Sequence, residues 1–362
     1  MLIPKKILTI SKYYGDDMKP GCYTALITPF NNDGNLDYEG LDKLIDFQIK
    51  NSITGILAVG TTGESPTLRW EEHNEIIEIT ASKTKGKCLC IAGTGSNNTS
   101  EAINGSLHAV GAGADALLLV DPYYNNPGSV SIRREYLEPV AEKCPDTTII
   151  PYVIPGRTGS KLLPEDIAVA NRNFPNISCV KEATGDVENM KRTREVCGNG
   201  FSIYSGDDSF TYELMTNPGI KGQGVISVAS NIIPGFITEM TTELDRGNKE
   251  TASKILKEIE PLFNLVAVIT EEETPYGRIE FKQKNPLPIK TLMGILGMPG
   301  GNCRRPLGKM SPKGAEKVLQ IGREVFKKSP HIFSPISDFF DIDIEKRFNS
   351  PELFSHLIYQ DM

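Results

Sequence analysis

The chain has 362 residues, 39% hydrophobic and 23% charged, with a formal net charge of −7. That is enough for one large domain with an appendage or for two ordinary ones, and the balance is that of a globular protein. The acidic charge without a Lys/Arg cluster argues against a nucleic-acid partner, and no apolar run approaches the ~18 residues a bilayer span needs.

Residues 1–19 read as an N-terminal arm. Pro4 and the short apolar stretch around it make a poor secretory signal. Strand-like apolar runs follow at 23–30, 55–60, 88–94, 114–121, 148–154, 177–183, 201–206 and 224–230. Several are nearly continuous in apolar residues, as parallel strands covered on both faces are. Stretches with helical spacing lie between them, at 36–51, 70–84, 101–110 and 187–197. Eight strands with intervening helices predict a (β/α)8 TIM barrel over 20–235. A doubly wound sheet is the alternative, but no Gly-x-Gly-x-x-Gly turn follows the first strand. Residues 236–328 read as a helical C-terminal domain, with helices over 237–247, 249–269 (broken near Pro261) and 311–327. Residues 329–362, with prolines at 330, 335 and 351 and clustered Phe, form an extension that is either docked or flexible.

The seven cysteines form no C-x-x-C pair. Cys88 and Cys90 share a strand face, and no second pair follows at zinc spacing, so they read as small buried residues rather than ligands. Such usage suits reduced thiols and a cytoplasmic location.

Chemistry in a (β/α)8 barrel sits at the C-terminal strand ends. Here those ends carry Gly60-Thr61-Thr62-Gly63-Glu64-Ser65, Asp121-Pro122-Tyr123-Tyr124, Tyr152-Val153-Ile154-Pro155-Gly156-Arg157, Lys181, Ser205-Gly206-Asp207-Asp208 and Gly224-Val225-Ile226-Ser227. A strand-end lysine among apolar walls loses proton affinity and can attack a ketone as a neutral amine. Tyrosines can carry the protons of carbinolamine dehydration. Glycine-flanked hydroxyls can hold one carboxylate and an arginine fork a second. The set suits a 2-oxo acid that condenses with, or is cleaved from, an aldehyde. No metal-ligand cluster and no phosphate loop stands out. Asp207 and Asp208, adjacent on one strand, point to opposite faces and make a poor acid–base pair. Glu271–Glu273 read as a solvated helix face or loop.

The runs Gly60-Thr61-Thr62-Gly63-Glu64, Tyr152…Pro155-Gly156-Arg157-Thr158-Gly159 and Val180-Lys181-Glu182-Ala183-Thr184-Gly185 resemble the signatures of the dihydrodipicolinate synthase (4-hydroxy-tetrahydrodipicolinate synthase) family. This family belongs to the pyruvate-dependent class I aldolases, as N-acetylneuraminate lyase does. The resemblance covers about residues 20–310. The Thr61-Thr62 pair and Arg157 set it apart from the lyases. The resemblance implies a lyase of lysine (diaminopimelate) biosynthesis that uses no cofactor beyond a covalent imine of pyruvate on Lys181. Tyr152 would be the proton donor and acceptor, and Thr61 would link it to Tyr124 of a neighbouring subunit. Thr62, Gly206 and Ile226 would line the pyruvate pocket, and Arg157 would bind L-aspartate 4-semialdehyde. It further implies a homotetramer, a dimer of dimers, with an allosteric L-lysine site at Ser65, Pro66, Trp70, His73, Asn97, Glu101 and Tyr123. Two positions depart from the family pattern: Val153 where an Asn is usual, and Asp121 where a Thr is usual. A pyruvate-releasing aldolase acting on a sugar acid, and a barrel that has lost catalysis and serves as a binding module, remain as alternatives.

Overall fold

The computed structural model describes residues 18–360; the predicted arm over 1–19 lies almost wholly outside them. Eight parallel strands close into a barrel in sequential order. They are β1 (Gly21–Ala25), β2 (Gly55–Ala58), β3 (Leu89–Gly93), β4 (Ala116–Val120), β5 (Thr148–Val153), β6 (Cys179–Glu182), β7 (Ser202–Ser205) and β8 (Gly224–Ser227). Closure comes from β1 pairing with both β2 and β8.

Alternation along each strand sends one set of side chains into the barrel and the other out against the helices. Tyr23, Leu57, Ile91, Leu118, Ile150, Tyr152, Cys179, Tyr204 and Ile226 fill the interior. Their neighbours Val153, Val180, Ile203 and Val225 belong to the larger layer beneath the helices. Tyr23 and Tyr204 meet edge to face at 5.6 Å, and both hydroxyls donate to the Lys19 carbonyl just ahead of β1. These rings and the Lys19 carbonyl fill the N-terminal end of the barrel.

The outer helices bury a stripe and cap their ends. In α1 (Tyr38–Lys50), Leu41, Leu44, Ile45 and Phe47 face the barrel, and the Asp37 carboxylate accepts from Gly40 N at 2.9 Å. In α2 (Trp70–Thr84), His73, Ile76, Ile77, Thr80 and Ala81 do so. Asn98 caps α3 (Thr99–Ala112), which ends at Gly113 in the left-handed region.

Beyond the barrel the structure departs from the predicted all-helical region. The helix that starts at Lys249 stops at Ile259, and 3₁₀ turns run on to Val266. Residues Ala267–Thr274 (β9) and Gly277–Lys284 (β10) then form an antiparallel hairpin. The helix expected to reach residue 269 is therefore ten residues too long, and Glu271–Glu273 lie on a strand. Pro261 ends the helical ladder. The alternation of buried Val268 and Glu272 with exposed neighbours suits a one-sided strand better than a helix. The turn is Pro275-Tyr276, and Gly277, which opens β10, stands at φ +110°, a conformation glycine adopts without strain.

The buried Leu287–Leu296 helix and the Pro312–Lys328 helix follow. The segment after residue 328 packs down. Phe333, Ile336, Phe348, Phe354 and Leu357 are buried. Phe339 and Phe340 stand 5.4 and 5.3 Å from the Phe47 ring of α1. Among the described residues no helix is long and apolar enough to cross a membrane.

Candidate active site

Lys181 follows Cys179 at period two on β6, so its side chain enters the barrel. Tyr152 and Tyr204 are its register partners on the two neighbouring strands. The amine lies over the Tyr152 ring, 4.2 Å from the centroid, in a residue only 4% exposed. Among the described residues no hydrogen bond or ion pair reaches it. Desolvation therefore dominates and lowers its pKa to about 7; Asp208 opposes this and Arg157 adds to it. Gly206 makes room for the amine's stem. A Cβ there would stand 3.2 Å from Lys181 Cε and 2.7 Å from Ala183 Cβ.

Burial pushes the Tyr152 phenol up to about 12, eased by Arg157 and by a hydrogen bond with Thr61. It is thus protonated near neutrality and ready to give and retake a proton. Thr61, Tyr152, Ile154 and Arg157 line a cavity of about 190 Å³. Lys181 and Thr62 are not among its lining residues: Lys181 is tucked against the Tyr152 ring, and Thr62 is 3% exposed and accepts from Asn285 Nδ2 at 3.0 Å. Arg157 lies in the one-turn helix Pro155–Thr158, and its Nη2 donates to the Asn285 carbonyl at 2.9 Å. Ile226 is fully buried on β8. Tyr124 does not join this group within the chain. It stands 92% exposed at φ +81°, a strained value for a non-glycine residue.

Asp208 is not half of an acid–base pair. Its carboxylate accepts from the Ser227 hydroxyl at 2.5 Å and from Val228 N and Ala229 N at 3.0 Å, and so fixes the end of β8. Asp207 caps the turn that follows β7. Val153 points outward into the helix-covered layer, so the missing amide alters nothing inside the barrel. Asp121 is buried, accepts from Leu162 N at 3.0 Å, and is raised to about 7 by desolvation, against the pull of that hydrogen bond.

Three residues were missed in the sequence: Asn285, Lys290 and Arg304. Lys290 Nζ, 1% exposed, donates to Glu64 Oε1 at 2.7 Å and to the carbonyls of Thr28 at 2.9 Å and Asn302 at 3.2 Å. Arg304 N donates to Glu64 Oε2 at 2.8 Å, and the Arg304 guanidinium grips both Glu72 oxygens at 2.7 Å. Arg304 holds Glu72 down at about 2. These contacts pin the Gly60–Ser65 loop, where Glu64 sits at φ +59°. The available signal was a lone charged residue, Lys290, in the otherwise uncharged run 286–296.

A second cavity, about 170 Å³, is lined by Ser65, Pro66, Trp70, His73, Glu101 and Tyr123, among others. Trp70 and His73 meet at 4.9 Å. His73 Nε2 donates to the Gly93 carbonyl at 2.9 Å, and burial lowers the ring to about 4, so it is neutral near pH 7. Ser96 Oγ donates to Glu101 at 2.6 Å. Asn97 stands one step back and accepts from Tyr123 N at 2.7 Å. Ser65, Pro66, Gly95 and Tyr123 line both cavities.

Comparison with known proteins identifies the family and the fold. The model of the dihydrodipicolinate synthetase family matches residues 18–324. The 4-hydroxy-tetrahydrodipicolinate synthase of Syntrophus aciditrophicus is 39% identical over 304 residues, covering 84% of this chain and 97% of that protein. The Methanococcus aeolicus enzyme of the same name is 40% identical over 298 residues, covering 82% and 96%. Among solved structures, dihydrodipicolinate synthase from Aquifex aeolicus superposes with a TM-score of 0.76 at 38% identity, covering 85% of this chain and 97% of that one. The Cyanidioschyzon merolae protein with lysine bound gives 0.77 at 34% identity, covering 85% and 98%. With the barrel, the buried strand-six lysine and the matched span all in agreement, the chain belongs to the dihydrodipicolinate synthetase family of lyases.

Proposed function

We propose that the chain condenses pyruvate with L-aspartate 4-semialdehyde to give 4-hydroxy-tetrahydrodipicolinate, the first committed step of the diaminopimelate route to lysine. The observation that carries this reading is a buried amine with no hydrogen-bond partner among the described residues, resting on the ring of a protonated tyrosine. The neutral Lys181 amine attacks C2 of pyruvate. Tyr152 shuttles the protons as the carbinolamine loses water to the imine. Loss of a C3 proton gives the enamine, whose C3 attacks the aldehyde carbon. The amino group of the semialdehyde then attacks C2, closes the ring and displaces Lys181. One water leaves per turnover.

In this reading Thr62 holds the pyruvate carboxylate, Gly206 and Ile226 line its pocket, and Arg157 binds the carboxylate of the semialdehyde. Thr61 passes the proton between Tyr152 and Tyr124 of a neighbouring subunit, which accounts for the exposure of Tyr124 and requires at least a dimer; a dimer of dimers in the cytoplasm is the assembly proposed. L-lysine binds the Trp70 cavity and inhibits. The lysine bound to the Cyanidioschyzon merolae protein supports this, as does the chemistry of the cavity: a Glu101 carboxylate for an ammonium and an indole for an aliphatic stem.

The test is reductive trapping. Pyruvate plus borohydride is expected to add a carboxyethyl group, the reduced imine, to Lys181 in the peptide that contains it. Lys181→Ala should lose both the adduct and at least about a thousandfold in turnover. An unlabelled wild-type protein would indicate an inert binding barrel. Pyruvate released from a sugar acid, with no condensation, would indicate the cleaving aldolase.

A further inference from the structure

Asn285 comes from outside the barrel, at the turn between β10 and the Leu287–Leu296 helix, yet it touches both carboxylate-binding groups. Its Nδ2 donates to Thr62 Oγ1 at 3.0 Å, and its main-chain carbonyl accepts from Arg157 Nη2 at 2.9 Å. The residue is 6% exposed and is anchored by its own N–H to the Val266 carbonyl at 2.8 Å. A hydroxyl has one proton to give. Because Thr62 Oγ1 receives a proton from the amide, its own proton stays free for another acceptor. The amide Oδ1 is left buried without a hydrogen-bond partner among the described residues. The opposite orientation of the amide would turn Oδ1 toward Thr62, consume its proton and leave both N–H donors unpaired, in place of one oxygen and one N–H.

We propose that Asn285 is a positioning residue of the condensation. It commits the Thr62 hydroxyl to donating toward the keto-acid carboxylate, and through its main chain it holds the Arg157 fork. This rests on the roles given to Thr62 and Arg157 above. It also explains what the hairpin adds: the Val266–Asn285 hydrogen bond closes its base and so places Asn285 over the strand-two loop.

Asn285→Asp keeps the shape but replaces the donor with an acceptor that takes the Thr62 proton. Steady-state kinetics of the full chain, with thermal denaturation alongside, compare Asn285→Asp, Asn285→Ala and Thr62→Val. The expected result is a rise in KM for pyruvate of about ten- to hundredfold in Asn285→Asp, the range of one hydrogen bond to a charged group. Asn285→Ala should show a smaller rise, and KM for the semialdehyde should move less in both, because the main-chain carbonyl that holds Arg157 remains. A merely structural residue would give the reverse order, with Ala worse than the isosteric Asp and no selective change in KM. That order, or an Asn285→Asp variant with unchanged pyruvate KM while Thr62→Val raises it, overturns the inference alone. Thr62→Val without effect on pyruvate removes the underlying reading of the pocket and the inference with it.

Discussion

Two buried lysines stand among the described residues, and they are opposites. Lys181 is 4% exposed and Lys290 is 1% exposed. Lys290 has Glu64 at 2.7 Å and two carbonyls in reach, so each of its three donors is engaged. Among the described residues Lys181 has the face of a tyrosine ring and no hydrogen-bond partner. Burial alone therefore does not make a nucleophile. Withholding partners does, because then nothing offsets the lost hydration of the ammonium. One lysine acts as a brace between the C-terminal region and the strand-two loop; the other, in the proposed reading, is the reactive amine.

The contrast can be broken most severely at the brace. Lys290→Met strands the Glu64 carboxylate in the interior and is expected to cost about 3–5 kcal/mol in denaturant unfolding. Adding Glu64→Gln should recover part of that loss, since the uncompensated charge is gone. A mild effect of Lys290→Met alone would mean that the pair is not a brace.

Lys181→Met should act in the other direction. Its ammonium is disfavoured in the folded state, with a pKa of about 7 against 10.5 for the free side chain. The unfolded chain thus binds this proton more tightly. The penalty is full below about pH 7 and fades as pH rises toward 10.5. Removing the amine should raise stability at pH 7 by a few kcal/mol, with the gain shrinking at alkaline pH. A loss of stability at every pH would contradict the desolvated-amine account.

The smallest effect sharpens the comparison kinetically. The rate of imine formation with pyruvate should climb about tenfold per pH unit below 7 and level off above it, because only the neutral amine attacks. Stopped-flow trapping across pH 5–10 would show this; a climb continuing to pH 10 would assign Lys181 an ordinary amine.

Much of the barrel was legible because its signal is local. Strands such as 116–120 and 148–153 are apolar on both faces, and only a covered parallel sheet explains that. Lys181, Tyr152 and Arg157 were legible because strand ends in such a barrel share one mouth. Asn285 was not, since its partner Thr62 lies 223 residues away and no periodicity reports a contact of that kind. The hairpin was missed for another reason: Val268 and Glu272 are the buried members of an alternating set, and a glutamate at a buried position reads as solvent-facing until Thr270 Oγ1 is seen donating to it. The exposed ring of Tyr124 could not be judged from one chain's sequence, because its partner, in the reading proposed here, belongs to another subunit.

Four residues, Ser65, Pro66, Gly95 and Tyr123, form a party wall between the two chambers. Whatever a guest in one chamber does to that wall, it does to the neighbour, and linkage fixes the exchange as symmetric. If lysine loosens the grip on pyruvate by some factor, pyruvate must loosen the grip on lysine by the same factor.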